Sequence, residues 1–251
     1  MSIAELNKVA KQGDRIMSIT QLTKTPTTNR INATRKGAFI DISILGIVLW
    51  GVFFSLRLAG VGNIGLWTIL ASLGAATALI AVRKESWLDY GLRAGGDARF
   101  VISKAGQVII LTSMTAFAVI ALATALGYPP TESVVLTQQP VTLAPFLLDL
   151  VFGVWIGAAI GEELILRGFL LSKFTTLFGG GRRALVLAVL AQAVWFGAGH
   201  VSQGVSGMIM AGAIGAALGA FFLTRARRSL IPLIIAHGLI NTCLLTINYF
   251  S

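Results

Sequence analysis

The stretch GAAIGEELILRGFLLSKF, residues 157–174, places charged side chains inside a strongly apolar segment. Glu162 and Glu163 are adjacent, and Arg167 follows four residues after the second of them. Residues four apart lie on the same side of a helix, so Glu163 and Arg167 are expected to form an ion pair. Glu162 points about 100° away around a regular helix axis. The sequence therefore predicts that Glu163 is neutralised and that Glu162 needs a different partner.

The whole chain has the composition of a membrane protein. Of its 251 residues, 55% are hydrophobic and 12% are charged, and the mean hydropathy is +0.82. Apolar runs of about 18 residues or more are typical of membrane-spanning helices. Seven such runs are predicted, at roughly 38–58, 64–82, 105–127, 143–166, 184–201, 205–224 and 230–249. They are too long and too uniformly apolar for barrel strands. We predict an all-α polytopic membrane bundle of seven or eight transmembrane helices.

The basic residues are clustered in a way that predicts the orientation of the chain. Seven Lys and Arg residues precede Gly37, five lie in 83–104, four in 167–183 and three in 225–228, which leaves only Arg57. Cytoplasmic loops are enriched in Lys and Arg, so these segments and the amino terminus are predicted to be cytoplasmic. The net charge of +10 therefore indicates membrane lipid as the partner, not nucleic acid.

The chain divides into a tail and one membrane domain. Residues 1–37 are polar and basic and are predicted to be a disordered cytoplasmic tail, whereas 38–251 form a single integral membrane domain. YPPTESVVLTQQPVTLAP, residues 128–145, is predicted to be an external loop. Cys243 is the single cysteine, so neither an intramolecular disulfide nor a cysteine metal cluster can form.

Small residues recur along the sixth predicted span. Gly207, Ala211, Gly215 and Gly219 are four residues apart and share one helix face. Small residues at this spacing allow helices to approach closely, so this face is predicted to pack against a neighbouring helix.

Both histidines of the chain fall in predicted membrane spans. His200 follows Phe196 by one helical turn, so its imidazole can pack on the Phe196 ring. His237 precedes Asn241 by one turn, so both side chains can line one cavity. Imidazole titrates near neutral pH and suits proton transfer. Ionisable groups in spans are functional by default, although a structural charge network and histidines bonded to backbone carbonyls also fit the pattern.

Three sequence elements occur in order along the second half of the chain: EELILR at Glu162–Arg167, FGAGH at Phe196–His200 and HGLIN at His237–Asn241. Together they resemble the CAAX protease and bacteriocin-processing family of intramembrane endopeptidases, also called Abi proteins. RGFL after the first element, SLIPLIIAH before the third and DYGLR at Asp89–Arg93 are similar to family segments as well. The resemblance covers residues 145–250, the predicted catalytic core, and the first half by hydropathy alone.

The resemblance implies a hydrolase that cleaves a membrane-associated peptide or protein of the CAAX or bacteriocin type. It implies that Glu162 and His200 activate a water, and that His237 and Asn241 stabilise the oxyanion. Glu163 and Arg167 would support the site. A polar cavity open to the cytoplasm would admit the water, and we expect the protein in the plasma membrane of a bacterium.

Participation of a metal is left open by the family, which has been labelled both metalloprotease and glutamate protease. HExxH, the commonest zinc signature, is absent. Glu162, His200 and His237 would form a zinc site of the two-histidine, one-carboxylate type. Asn241 is a poor zinc ligand and suits oxyanion binding. We therefore expect a metal-free mechanism without a cofactor, with Zn²⁺ as the alternative.

Two other functions use the same residues differently. A non-proteolytic scaffold or immunity protein would bind a peptide in the same cavity, but it would not need both histidines and Asn241. A proton-coupled transporter would use intramembrane carboxylates, yet the sequence has no inverted repeat of the kind many transporters show.

The depth of the site sets a further expectation. His200 lies 17 residues past Arg183, about 25 Å along a helix, whereas Glu162 is close to the end of its predicted span. The two side chains can meet if the fourth helix continues past Arg167 and reaches the surface near Lys173.

Overall fold

The computed structural model describes residues 28–127, 142–226 and 228–250. Within them it contains seven long helices: Thr28–Leu58 (α1), Ile64–Val82 (α2), Ala98–Ala125 (α3), Leu143–Leu177 (α4), Arg182–Gly199 (α5), Gly204–Thr224 (α6) and Ile231–Phe250 (α7). Each includes a stretch long and apolar enough to cross a membrane. The predicted all-α polytopic membrane bundle is confirmed.

Two of the predicted boundaries differ from the structure. Helix α1 begins at Thr28, so the predicted tail 1–37 overlaps its first turns. The rest of that tail, 1–27, and most of the predicted external loop, 128–141, lie outside the described residues. Helix α4 runs on to Leu177, beyond its predicted end at 166. Arg167 is fully buried, which agrees with the continuation of α4 expected from the depth of the site.

Helix α4 is wound unusually over most of its length. Its ends, Leu143–Leu148 and Leu171–Leu177, are α-helical, whereas Asp149–Leu170 form a π-helix. The hydrogen bonds of a π-helix join residues five apart instead of four. Residues four to five apart therefore share a face of this section, and a pattern based on 3.6 residues per turn does not predict which side chains meet.

The basic segments of the chain meet at one end of the bundle. Arg35 near the start of α1 donates a hydrogen bond to the carbonyl of Leu177 at the end of α4 (2.8 Å). Asp41 on α1 pairs with both Arg83 after α2 (2.6 Å) and Lys173 on α4 (3.1 Å). We call this end, where α2, α4 and α6 finish, the basic face. The opposite face is the end where α3 and α7 finish and α4 begins.

The segment between α2 and α3 fills a gap at the basic face. The Tyr90 ring stacks on Phe169 of α4 at 5.6 Å, and its hydroxyl donates to Glu85. Burial, the hydrogen bond and the charge of Glu85 raise the pKa of Tyr90. The carbonyl of Gly91 accepts a hydrogen bond from the backbone N–H of Leu230, just before α7 (2.8 Å). This segment therefore connects α4 to the start of α7.

Close packing of α5 against α6 depends on the predicted row of small residues. Gly207, Ala211, Gly215 and Gly219 are all buried. A Cβ atom at Gly219 would lie 2.9 Å from Oε1 of Gln192 on α5, and one at Gly215 would lie 3.1 Å from the Phe196 ring. The predicted packing face is confirmed, and it holds the helix that carries His200.

Candidate active site

Glu163 and Arg167 form an ion pair inside the bundle. Nη1 of Arg167 donates to Oε1 of Glu163 at 3.2 Å, and both side chains have 0% exposure. The predicted pairing is confirmed. The Arg167 guanidinium also lies over the Phe196 ring, 4.8 Å from its centroid, an arrangement in which the ring face attracts the cation. Helix α4 is thereby connected to α5 beside the histidine that ends it.

His237 lies between the two adjacent carboxylates of α4. Its Nδ1 is 3.0 Å from Oε1 of Glu163, and its Nε2 is 4.0 Å from Oε2 of Glu162. The first distance is that of a hydrogen bond, and the second is too long for one. The bond to Glu163 orients the ring so that Nε2 is directed towards Glu162. Sequence analysis did not predict this contact between α4 and α7.

His200 is positioned by its own helix. Its Nδ1 is 2.9 Å from the carbonyl oxygen of Phe196, and its ring packs edge-on against the Phe196 ring at 4.6 Å. The predicted ring contact is confirmed. A carbonyl only accepts hydrogen bonds, so Nδ1 carries the proton. In the neutral ring, Nε2 then carries the lone pair and is able to accept a proton.

One cavity of about 1690 Å³ brings together five of the six predicted site residues, all except Glu163. Glu162, His200, His237 and Asn241 line it, as does Arg167, so the expected shared cavity of His237 and Asn241 is confirmed. Pockets for drug-sized ligands usually measure about 300–1,000 Å³. This cavity is larger, and most of its remaining wall is apolar, including Val119, Met210, Ile214, Leu218 and Leu244. An apolar peptide segment fits such a space.

The cavity is longer than the predicted site and extends in an unexpected direction. On α4 and α7 its lining begins at Arg167 and His237, and it continues to Leu126 and Gly127 after α3 and to Asn248 near the end of α7. It therefore extends towards the opposite face. The sequence analysis expected a cavity open to the cytoplasm, at the basic face. The cavity has this direction because its wall is formed by α3, α4, α6 and α7. Each of these helices contributes mainly the half that lies away from the basic face.

The same side chains include the candidate ligands of a metal site. Among the residues that the structure describes, no group of three His, Cys, Asp or Glu side chains is arranged to hold a metal ion. The candidate zinc ligands Glu162, His200 and His237 are therefore not grouped as a three-ligand site. Each histidine uses Nδ1 for a hydrogen bond to the protein, which leaves only Nε2 on each ring.

Residues 142–243 match the family model described as type II CAAX prenyl endopeptidase Rce1-like. Over these residues the chain is similar to that family. The match contains all six predicted site residues and confirms the resemblance read from the three sequence elements. It supports a CAAX-type intramembrane protease in general terms. Searches of curated proteins and of solved structures gave no significant match.

Asp149 is a cavity residue that sequence reasoning missed. It lies on α4 and lines the same cavity as Glu162. In a regular α-helix, a separation of thirteen positions would turn Asp149 to nearly the opposite side from Glu162. In the π-helical section the cavity face carries Asp149, Gly153, Ala158 and Glu162, spaced four to five residues apart. The available signal was a lone carboxylate in an apolar span, which is rare without a function.

Proposed function

We propose that this protein is an intramembrane endopeptidase that hydrolyses a peptide bond of a membrane-associated substrate of the CAAX or bacteriocin type. One observation carries the proposal: Glu162, His200, His237 and Asn241, from three different helices within the residues that match the Rce1-like family, line a single cavity. A scaffold that only binds a peptide has no use for two acceptors and two donors directed at one space.

Glu162 and His200 activate the water. Arg167 is paired with Glu163 and not with Glu162, so the Glu162 carboxylate remains an acceptor on the cavity wall. Nε2 of His200 carries a lone pair because Nδ1 donates to Phe196. A positioned general base typically contributes 10²–10⁴-fold to a rate. The water oxygen bonds to the peptide carbonyl carbon while one of its protons passes to this pair.

His237 and Asn241 stabilise the oxyanion that forms. The side-chain amide of Asn241 supplies N–H donors. Because Nδ1 of His237 donates to Glu163, a doubly protonated ring presents its Nε2–H towards the cavity. Donors held in place before the reaction stabilise developing charge without reorganisation, and each is typically worth roughly 3–4 kcal/mol of barrier. The C–N bond then breaks, and the proton taken from water passes to the leaving amine.

The proposed reaction uses neither a metal nor another cofactor. The arrangement of the candidate ligands described above and the proposed role of Asn241 as a donor support this proposal. Zn²⁺ held by Glu162, His200 and His237 is the alternative, and it would require these side chains to move closer together.

We further propose that the basic face lies in the cytoplasm of a bacterial cell, with the amino terminus on the same side and anionic lipid around it. Among the described residues, Arg35, Arg83 and Lys173 lie at this face, and cytoplasmic segments are usually enriched in Lys and Arg. Reporter fusions after residues 90 and 228 should report the cytoplasm, and a fusion after residue 135 should report the outside. An external signal at residue 228 would contradict this orientation.

Cleavage of a panel of membrane peptides by the purified chain in detergent tests the proposed function. Products identified by mass spectrometry should show one new amino terminus and one new carboxyl terminus at a single bond. Tight binding of a peptide that remains intact after prolonged incubation would favour a scaffold or immunity protein instead.

A further inference from the structure

Asp149 lies at the far end of the cavity, and the part of the chain that the structure describes gives its carboxylate no cationic partner. It is partly buried, and the structure shows no hydrogen bond or ion pair for it among the described residues. Arg167 is the one Lys or Arg side chain in the lining, and it is paired with Glu163. The sequence contains no Lys or Arg between Lys104 and Arg167. Among the described residues, no Lys or Arg side chain of the lining therefore balances the charge of Asp149.

The cavity lining also holds the carboxylate of Glu162 and the imidazoles of His200 and His237, and the His237 ring lies beside Glu162. Glu162 lies on the same face of α4, three turns away. Between and around the two carboxylates the wall is mainly apolar, with uncharged amides at Gln203 and Asn248 near Asp149's end of the helices. A charge is screened poorly in such a setting. At the end that holds Asp149, the cavity therefore favours a cationic group over an anionic one.

We propose that Asp149 forms a specificity subsite that binds the ammonium or guanidinium group of a Lys or Arg side chain in the peptide substrate. The inference rests on the proposed function, because it assigns a substrate feature to the same cavity. Thirteen residues of helix cover at most about 20 Å, which an extended peptide spans with about six residues. The basic side chain is therefore expected within about six residues of the bond held at Glu162 and His200.

Binding of labelled peptides to the full-length Glu162→Gln protein in nonionic detergent tests the subsite without requiring cleavage. The probes are apolar 20-residue peptides that differ at one position, which carries Lys, Glu or the uncharged norleucine. Further sets of peptides carry the variable residue at other positions along the sequence. Fluorescence anisotropy should show about tenfold tighter binding of the best Lys peptide than of its norleucine match, the difference expected for one partly buried charge pair.

Variants at residue 149 provide the matched controls. Asp149→Asn in the same protein should remove the preference for Lys, and Asp149→Lys should reverse it in favour of the Glu peptide. Asp149→Glu keeps the charge and should keep the preference, which separates charge from folding. Equal affinities for Lys and norleucine peptides in the parent protein, or a preference that survives Asp149→Asn, would overturn the proposal. Loss of the preference when phosphatidylethanolamine is added would also overturn it, because the lipid ammonium would then be the occupant.

The two proposals fail in different ways. A Lys preference that depends on Asp149, with no peptide cleaved by the otherwise unchanged protein, would keep the cation subsite and reject the endopeptidase. Cleavage by that protein, with equal affinities for Lys and norleucine peptides, would support the endopeptidase and reject the cation subsite.

Discussion

Glu163 on α4 and His237 on α7 are joined by a hydrogen bond of 3.0 Å between Oε1 and Nδ1. The same oxygen accepts a hydrogen bond from Arg167 at 3.2 Å. One buried carboxylate oxygen thus contacts a guanidinium and an imidazole at once. It balances the buried charge of Arg167 and orients the ring whose other nitrogen is directed towards Glu162. Both the stability of the fold and the orientation of the His237 ring therefore depend on Glu163.

Glu163→Gln should lower the stability of the protein as well as its cleavage activity. The substitution leaves Arg167 charged and fully buried without its anion. Removing one partner of a buried ion pair typically costs roughly 3–5 kcal/mol. A thermal melt in detergent should show a clear decrease in Tm, together with a lower yield of folded protein.

Two further variants control this prediction. The double variant Glu163→Gln with Arg167→Met removes both charges and should recover part of the lost Tm. Glu85→Gln changes a pair with Lys173 in which the glutamate is 39% exposed, so its effect should be much smaller. A Glu163→Gln protein as stable as Glu85→Gln would contradict the structural role given to Glu163.

His200→Asn should abolish cleavage and preserve the fold. The Asn amide can still donate to the Phe196 carbonyl in place of Nδ1, but it has no basic nitrogen for the proton of the water. Loss of a general base lowers kcat by about 10²–10⁴-fold. Parallel measurements of peptide cleavage and Tm check this. Retention of more than about a tenth of the activity would remove His200 from the proton-transfer role.

A strong chelator should leave proteolysis intact. The described His, Cys, Asp and Glu side chains are not grouped as a three-ligand metal site, and both cavity histidines use Nδ1 for protein hydrogen bonds. Activity would be measured before and after prolonged incubation with the chelator and dialysis. Complete loss of activity that returns with stoichiometric Zn²⁺ would establish the zinc alternative.

Tyr90→Phe should make the stability less sensitive to alkaline pH. Burial and the hydrogen bond to Glu85 raise the pKa of Tyr90 above its ordinary value of about 10. With a raised folded-state pKa, the stability contributed by the neutral phenol is fully present below about pH 10 and is lost as the pH rises above it. Between about pH 8 and pH 11, Tm should therefore fall more in the parent protein than in Tyr90→Phe. Identical decreases would contradict the environment described for Tyr90.

The helix count and the Glu163–Arg167 pair were predictable from local rules. Apolar runs define spans because a bilayer requires about 20 apolar residues. The ion pair requires only that residues four apart share a helix side, and the wider winding of α4 preserves this neighbour relation. The packing of Phe196 on His200 follows the same rule on α5.

Contacts between distant helices were not predictable in the same way. The bond from Glu163 to His237 depends on how α7 packs against α4, 74 residues further along the chain. The cavity position of Asp149 depends on the π-helical winding of Asp149–Leu170, whereas the sequence was read with α-helical periodicity. The direction of the cavity depends on four helices at once, and no local spacing encodes it.

The comparison of Glu162→Gln with Glu163→Gln tests the central claim most directly. Peptide cleavage and thermal melts would be measured in detergent for both single variants and the parent protein. Glu162 lines the cavity and is not paired with Arg167, so Glu162→Gln should melt near the parent Tm while cleavage falls at least about hundredfold. Substantial cleavage by Glu162→Gln, or a lower Tm for it than for Glu163→Gln, would contradict the assignment of Glu162 as base and Glu163 as structural partner.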